Sequence, residues 1–178
     1  MKKTIILSVI TAFTMSAAFA QPDKAADEQA IRNIVTSMQT GWNNKDGKIF
    51  SSGFAKVHDY IVVNGMYLSA ITQEMNAASH QGIFNSIYKT TDLQLKTDKI
   101  SFVNPNLALV YVLGATYQQG ATLPENPAAM ISMVIEKKDN DWKIISFHNG
   151  PIQVSFNPGD EARAPIPPKQ MYASWYKN

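Results

Sequence analysis

The chain has 178 residues, 16 Lys and Arg against 14 Asp and Glu, and no cysteine. The missing thiol excludes disulfides, zinc–thiolate sites and cysteine nucleophiles. The near balance of charge makes nucleic acid and anionic membrane surfaces poor partners.

Met1 to Ala20 has the pattern of an export signal: Lys2 and Lys3 give a positive start, Ile5 to Phe13 an apolar stretch, and Ala18-Phe19-Ala20 a small-x-small cleavage site. The apolar stretch is interrupted by Ser8 and Thr11 and is shorter than the roughly 20 residues that span a bilayer, so no stable membrane anchor is expected. Cutting after Ala20 would leave 158 of the 178 residues as a periplasmic or secreted protein. Without Lys2 and Lys3 its 14 basic residues would match its 14 acidic ones. A chain of this length can bury about two-thirds of its unfolded surface in one core without staples.

Gln21 to Ala26 reads as an exposed lead-in, after which Asp27 is placed to cap a helix. Its apolar positions Ala30, Ile31, Ile34, Val35, Met38 and Trp42 recur at helical spacing. Asn43 to Gly47 breaks this helix, and Ile49, Phe50 and Phe54 suggest one further short helix. Val57 to Asn64 is the first expected strand, with Asn64-Gly65 as the hairpin turn and Met66 to Leu68 as a short partner. Ser69 is placed to cap a second long helix running to about Phe84. From there the apolar period becomes two, and Leu93–Phe102, Leu107–Tyr117, Ala129–Lys138 and Trp142–His148 read as four successive strands.

Helices followed by a run of strands argue α+β, with helices on one face of a curved antiparallel sheet. Leu107, Leu109, Tyr111 and Leu113 alternate with Ala108, Val110 and Val112, so neither face of the later strands is polar. A homodimer packed sheet to sheet is expected to cover the second face, and a long tail is the alternative cover. Residues 153–178 form that tail, rich in proline and ending in Met171-Tyr172-Ala173-Ser174-Trp175-Tyr176. It reads as an arm on the surface of the domain or of its partner, with a lid over the pocket as the alternative.

There is no Walker loop, dinucleotide fingerprint, hydrolase elbow or zincin motif. What remains are three histidines, His58, His80 and His148. His80 shares a helix face with Asn76 and Phe84, a plausible pocket wall. His148 ends the last strand, where an imidazole serves as acid or base near neutral pH. Asp59 shares the period-two set of Val57, Ile61 and Val63, and a carboxylate on an apolar face needs a partner, for which a histidine is favoured. His58 points the other way and is expected at the surface. No His-x-His or His-x-x-x-His pair presets a metal site, so neither metal nor cofactor is expected.

Phe54-Ala55 leading into Asp59-Tyr60-Ile61-Val62-Val63-Asn64-Gly65, then His80, then a last strand ending Phe147-His148-Asn149, resembles the SgcJ/EcaC group of the SnoaL-like proteins, within the nuclear transport factor 2 superfamily. The resemblance runs from about Asp27 to Ile152. It implies a cystatin-like cone with an apolar cavity between helices and sheet, a sheet-to-sheet dimer, and a site including Asp59, His80 and His148. The chain departs from the pattern at Val57, at Ala70, where glycine is usual, and at Gly150. Asp59, His80 and His148 are therefore the candidate catalytic residues, and Asn149, Trp42, Tyr60, Asn76, Phe84 and Tyr117 the candidate ligand contacts. Acid–base chemistry on an apolar carbonyl or hydroxyl compound and plain binding of such a molecule both use these residues.

Overall fold

The computed structural model describes residues 24–156 and 166–177. The expected signal, most of the lead-in and part of the tail lie outside the described residues.

Helix α1, Lys24–Asn43, starts ahead of the expected cap, so Lys24 to Ala26 are exposed but helical. Asp27 lies in its first turn and is 7% exposed. Its Oδ1 accepts from Lys137 Nζ at 2.7 Å and Trp142 Nε1 at 2.9 Å, so it anchors the helix instead of capping it. Ile31, Ile34, Val35, Met38 and Trp42 form the buried stripe. Asp46 caps α2, Gly47–Ser51, accepting from Lys48 N and Ile49 N. The two helices meet backbone to backbone at Gly41, where a Cβ would lie 2.2 Å from Phe50 N.

Strand β1 is Phe54–Ile61 and β2 is Tyr67–Thr72, joined by the expected Asn64-Gly65 turn with Gly65 at φ +85°. The partner strand is longer than expected because Leu68 to Thr72 pair with β1, through an irregularity between His58 and Tyr60. Ser69 is therefore inside a strand, and Thr72 caps α3, Gln73–Phe84, accepting from Met75 N at 3.1 Å. At the irregularity Ala70 sits at φ +50° and donates its N–H to Asp59 Oδ1 at 2.9 Å. A left-handed alanine costs about 1–2 kcal/mol, which glycine avoids at the expense of unfolded-chain entropy. Ala70→Gly should therefore raise stability by up to about 1 kcal/mol in urea unfolding; a loss would show that the alanine methyl matters more than its backbone.

Strands β3, Thr91–Asn104, β4, Leu107–Gln118, β5, Ala129–Lys138, and β6, Asp141–Pro151, form the expected meander. The described residues form a curved, unclosed six-stranded sheet in the order β2-β1-β6-β5-β4-β3. Its neighbours are antiparallel except β1 and β6, which run parallel. No hairpin joins these two, so nothing in the connection forces them to oppose. Helices α1 to α3 lie on the concave face over Val110, Val112, Met133, Ile135, Ile144 and Phe147.

The tail is not fully extended. Pro168–Met171 form a helical turn, α4, and Ala173–Tyr176 a 3-10 turn. Trp175, 4% exposed, packs with Leu113 and Ala115 on the outer sheet face. No helix among the described residues is long and apolar enough to cross a membrane.

Candidate functional site

Two strand irregularities decide which side chains reach the interior. In β1, His58 and Tyr60 turn inward at 3% and 7% exposure, while Val57 is 56% exposed. His58 is thus buried, contrary to its expected surface position. Asp59 is half-buried on the outer side, bound to the Ala70 N–H and not to a histidine. In β6, Ile135 pairs with Ile144 but Val134 with Ser146, so Ile145 is bulged out and the alternation changes phase. Trp142 and Ile144 face inward, then Phe147, and Asn149 follows in phase opposite the buried Ile131. His148 is exposed and pairs with Ile61 on the outer side.

The three candidate catalytic residues are therefore not brought together: His80 lies inside, Asp59 and His148 across the sheet from it. Tyr117 shares the phase of Leu113 and Ala115, under the tail, and does not line the interior. Trp42, Tyr60, Asn76 and Phe84 do reach it.

Inside, α3 and β1 are linked by a polar chain. His58 Nδ1–H donates to the Ala55 carbonyl at 3.0 Å, so its Nε2 is the acceptor for Asn76 Nδ2–H at 2.8 Å. His80 Nδ1–H donates to the Asn76 carbonyl at 3.0 Å, leaving Nε2 to accept from the Tyr60 hydroxyl at 3.4 Å. Burial is the main cause that pushes His80 down to about 4, and it lowers His58 as well. Burial also holds the Tyr60 hydroxyl far above the ordinary phenol range. Both imidazoles are neutral at pH 7, and His80 is too weak a base to collect a proton there. The chain orients polar atoms; it is poorly suited to moving protons.

Rings fill the space around it. His80 stacks on Phe50 at 3.9 Å, Tyr60 on Phe147 at 4.4 Å, and Trp42 meets Phe84 edge-on at 5.2 Å. The apolar hollow implied by the resemblance is occupied here by side chains. Two amide oxygens lack partners among the described residues, Asn76 Oδ1 and Asn149 Oδ1, both buried atoms. Asn76 as a residue is 1% exposed, whereas Asn149 is half-buried at the end of the same wall. Each unmet acceptor costs about 1–3 kcal/mol. A surface groove of about 1200 Å³ lies elsewhere, between the outer side of α3 and the β5–β6 hairpin, and contains none of the expected site residues.

Sequence reasoning missed His58 and Phe147. The one available signal was the His58, Tyr60, Val62 alternation, in which an aromatic accompanies the histidine.

No family model matches the chain, and no curated protein matches it in sequence. Among solved structures, a domain of unknown function with a cystatin-like fold from Nostoc punctiforme is 31% identical over 71% of this chain and 78% of that one, with a TM-score of 0.65. This chain belongs among the domains with a cystatin-like fold. The same cystatin-like fold appears in a nuclear transport factor 2-like protein of unknown function from Shewanella oneidensis, 16% identical over 70% of this chain and 98% of that one, TM-score 0.58. It appears again in a putative scytalone dehydratase from Novosphingobium aromaticivorans, 14% identical over 72% and 86%, TM-score 0.57.

Proposed function

We propose that this cystatin-like domain is an exported module that binds an apolar small molecule at the concave face and returns it unchanged. The observation that carries this is the buried, unpaired Oδ1 of Asn149, a half-buried residue in strand phase with Phe147. A ligand hydroxyl or N–H would satisfy it from the end of that wall, with the ring-filled interior behind it. The weak basicity of His80 and the outward position of His148 favour binding over turnover.

The test is native mass spectrometry of protein recovered from the producing cells, wild type beside Asn149→Leu. Wild type should carry a ligand whose affinity falls about tenfold in the variant, the worth of one buried hydrogen bond. Equal retention would remove Asn149 from the site, and a chemically altered ligand would restore catalysis. Export has its own check: the recovered protein should begin at Gln21.

The partner we propose is a second copy, packed on the outer sheet face. Leu109 and Val134, paired across β4 and β5, are only half-buried, as are Leu107 and Tyr111. Leu109→Lys should halve the mass measured by light scattering; an unchanged mass, or a monomeric wild type, would reject the dimer.

A further inference from the structure

Asn-Gly occurs twice in the chain, at Asn64-Gly65 and at Asn149-Gly150, and the fold treats the two differently. Asn64 stands in the loop between β1 and β2, where residues 63–67 are all exposed. Three hydrogen bonds close this loop. Gly65 N–H donates to the Val62 carbonyl at 2.8 Å, Val62 N–H to the Met66 carbonyl at 2.9 Å, and Met66 N–H to Asn64 Oδ1 at 3.0 Å. The last of these folds the Asn64 side-chain amide back over the peptide unit that follows it. Gly65, at φ +85°, has open space around it: a Cβ there would meet nothing within 4 Å.

Asn149-Gly150 lies within β6, where Asn149 pairs with Ile131 and Gly150 with Met130 on β5, and Asn149 Oδ1 is buried. Bending the chain into a ring at that point means parting two strands. At Gly65 it means giving up one exposed turn bond, and loop tips open at far smaller cost than paired strands.

We propose that Asn64 is a site of spontaneous, one-way modification, converting through a cyclic imide to isoaspartate and aspartate with water as the only co-reactant. The Gly65 nitrogen gives up its proton and bonds to Asn64 Cγ; the bond from Cγ to the side-chain nitrogen breaks, and that nitrogen leaves as ammonia. During the attack negative charge grows on Oδ1, where the Met66 N–H already donates. Water then adds to one of the two imide carbonyls and breaks its bond to the ring nitrogen. Opening at the side-chain carbonyl yields aspartate; opening at the main-chain carbonyl yields isoaspartate, whose backbone runs through Cβ. No electrons are exchanged. The isoaspartate loop is one backbone atom longer and carries a new negative charge, so the bonds between Val62 and Met66 and the adjoining Ile61–Tyr67 pair should open. The next residue back along β1 is Tyr60, whose ring rests on Phe147 at 4.4 Å. The converted fraction grows with the age of the molecule, whether or not the domain binds a ligand.

The folded chain and the same chain in urea are held at mildly alkaline pH, and peptide mapping by mass spectrometry follows the amide-to-acid mass gain at each site, with isoaspartate identified by enzymatic methylation. In urea the two sites should convert at comparable rates. Folding should slow Asn149 by about a hundredfold or more, while Asn64 stays within about tenfold of its rate in urea. Asn64→Gln, which would have to close a larger ring, should keep the loop unmodified. Asn64 silenced by folding as fully as Asn149, or Asn149 converting as fast as Asn64 in the folded chain, would overturn the assignment. The isoaspartate form, separated by chromatography, should exchange the Val62 and Met66 amide hydrogens for deuterium about tenfold faster than wild type. Asn64→Asp, with the same charge on a normal backbone, should exchange them like wild type. Equal exchange in the isoaspartate form and in Asn64→Asp would overturn the opening of the loop by its extra backbone atom.

Discussion

Lowering the pH from 7.5 to 4 should cost this fold about 3 kcal/mol through His80 alone, with His58 adding in the same direction. The unfolded side chain takes up a proton near 6.5, whereas in the folded protein burial delays this to about 4. Between these values the unfolded state binds more protons, so stability rises with pH across the window and is lost as the pH falls through it. The geometry gives the reason. His80 Nε2 faces the Tyr60 hydroxyl and its ring lies on Phe50, so an added proton would find no counter-charge and would displace the hydrogen bond that Nε2 accepts. Urea unfolding at several pH values measures the slope directly. His80→Phe, a change of similar shape on the Phe50 ring, should remove most of the slope whatever it does to stability at neutral pH. A wild-type curve flat from 7.5 to 4 would contradict a neutral, buried His80.

Phe54→Ala should be about as damaging at neutral pH, costing about 4 kcal/mol and replacing a sharp melting transition with a broad one. Phe54 is 1% exposed, and its ring lies 4.7 Å from His58, 5.6 Å from Phe147 and 5.9 Å from Tyr60. It fills the place where the first helices, β1 and β6 converge, and none of these can move in without dragging the others. Val57→Ala, three positions on but 56% exposed, should change stability by less than about 0.5 kcal/mol. Near-ultraviolet circular dichroism during melting separates the two. A mild Phe54→Ala would mean that the rings around it can close the gap.

The sequence carried the fold well and the site poorly, for one reason. In β4 and β5 alternation gives the existence of the strands, but both alternating sets are apolar and it does not say which set faces the helices. In β1 both alternating sets are greasy, and the set of Val57, Asp59 and Ile61 is if anything the more apolar. The chain nevertheless turns His58 and Tyr60 inward, because the interior contains Asn76 and His80 to receive them. In β6 the inserted Ile145 reverses the phase halfway along, so counting from Trp142 puts His148 on the wrong side. Bulges are set by pairing across the sheet, which no local pattern reports. The helical side of the site was legible because Asn76, His80 and Phe84 repeat at one turn on a single element, and no bulge can separate them.

The one parallel pairing in the sheet also sets an order of events. Phe54 pairs with Ile144, and Tyr60 with Phe147, across most of the length of the domain. Local hairpins can close early, but the bare margin of β1 waits for the last strand before its aromatic rings have a wall to rest on. Until then that margin is a sticky ribbon. A chain arrested before Asp141 should accordingly precipitate, and the speed with which the finished protein reaches its native state should be governed by this closing seam more than by any helix.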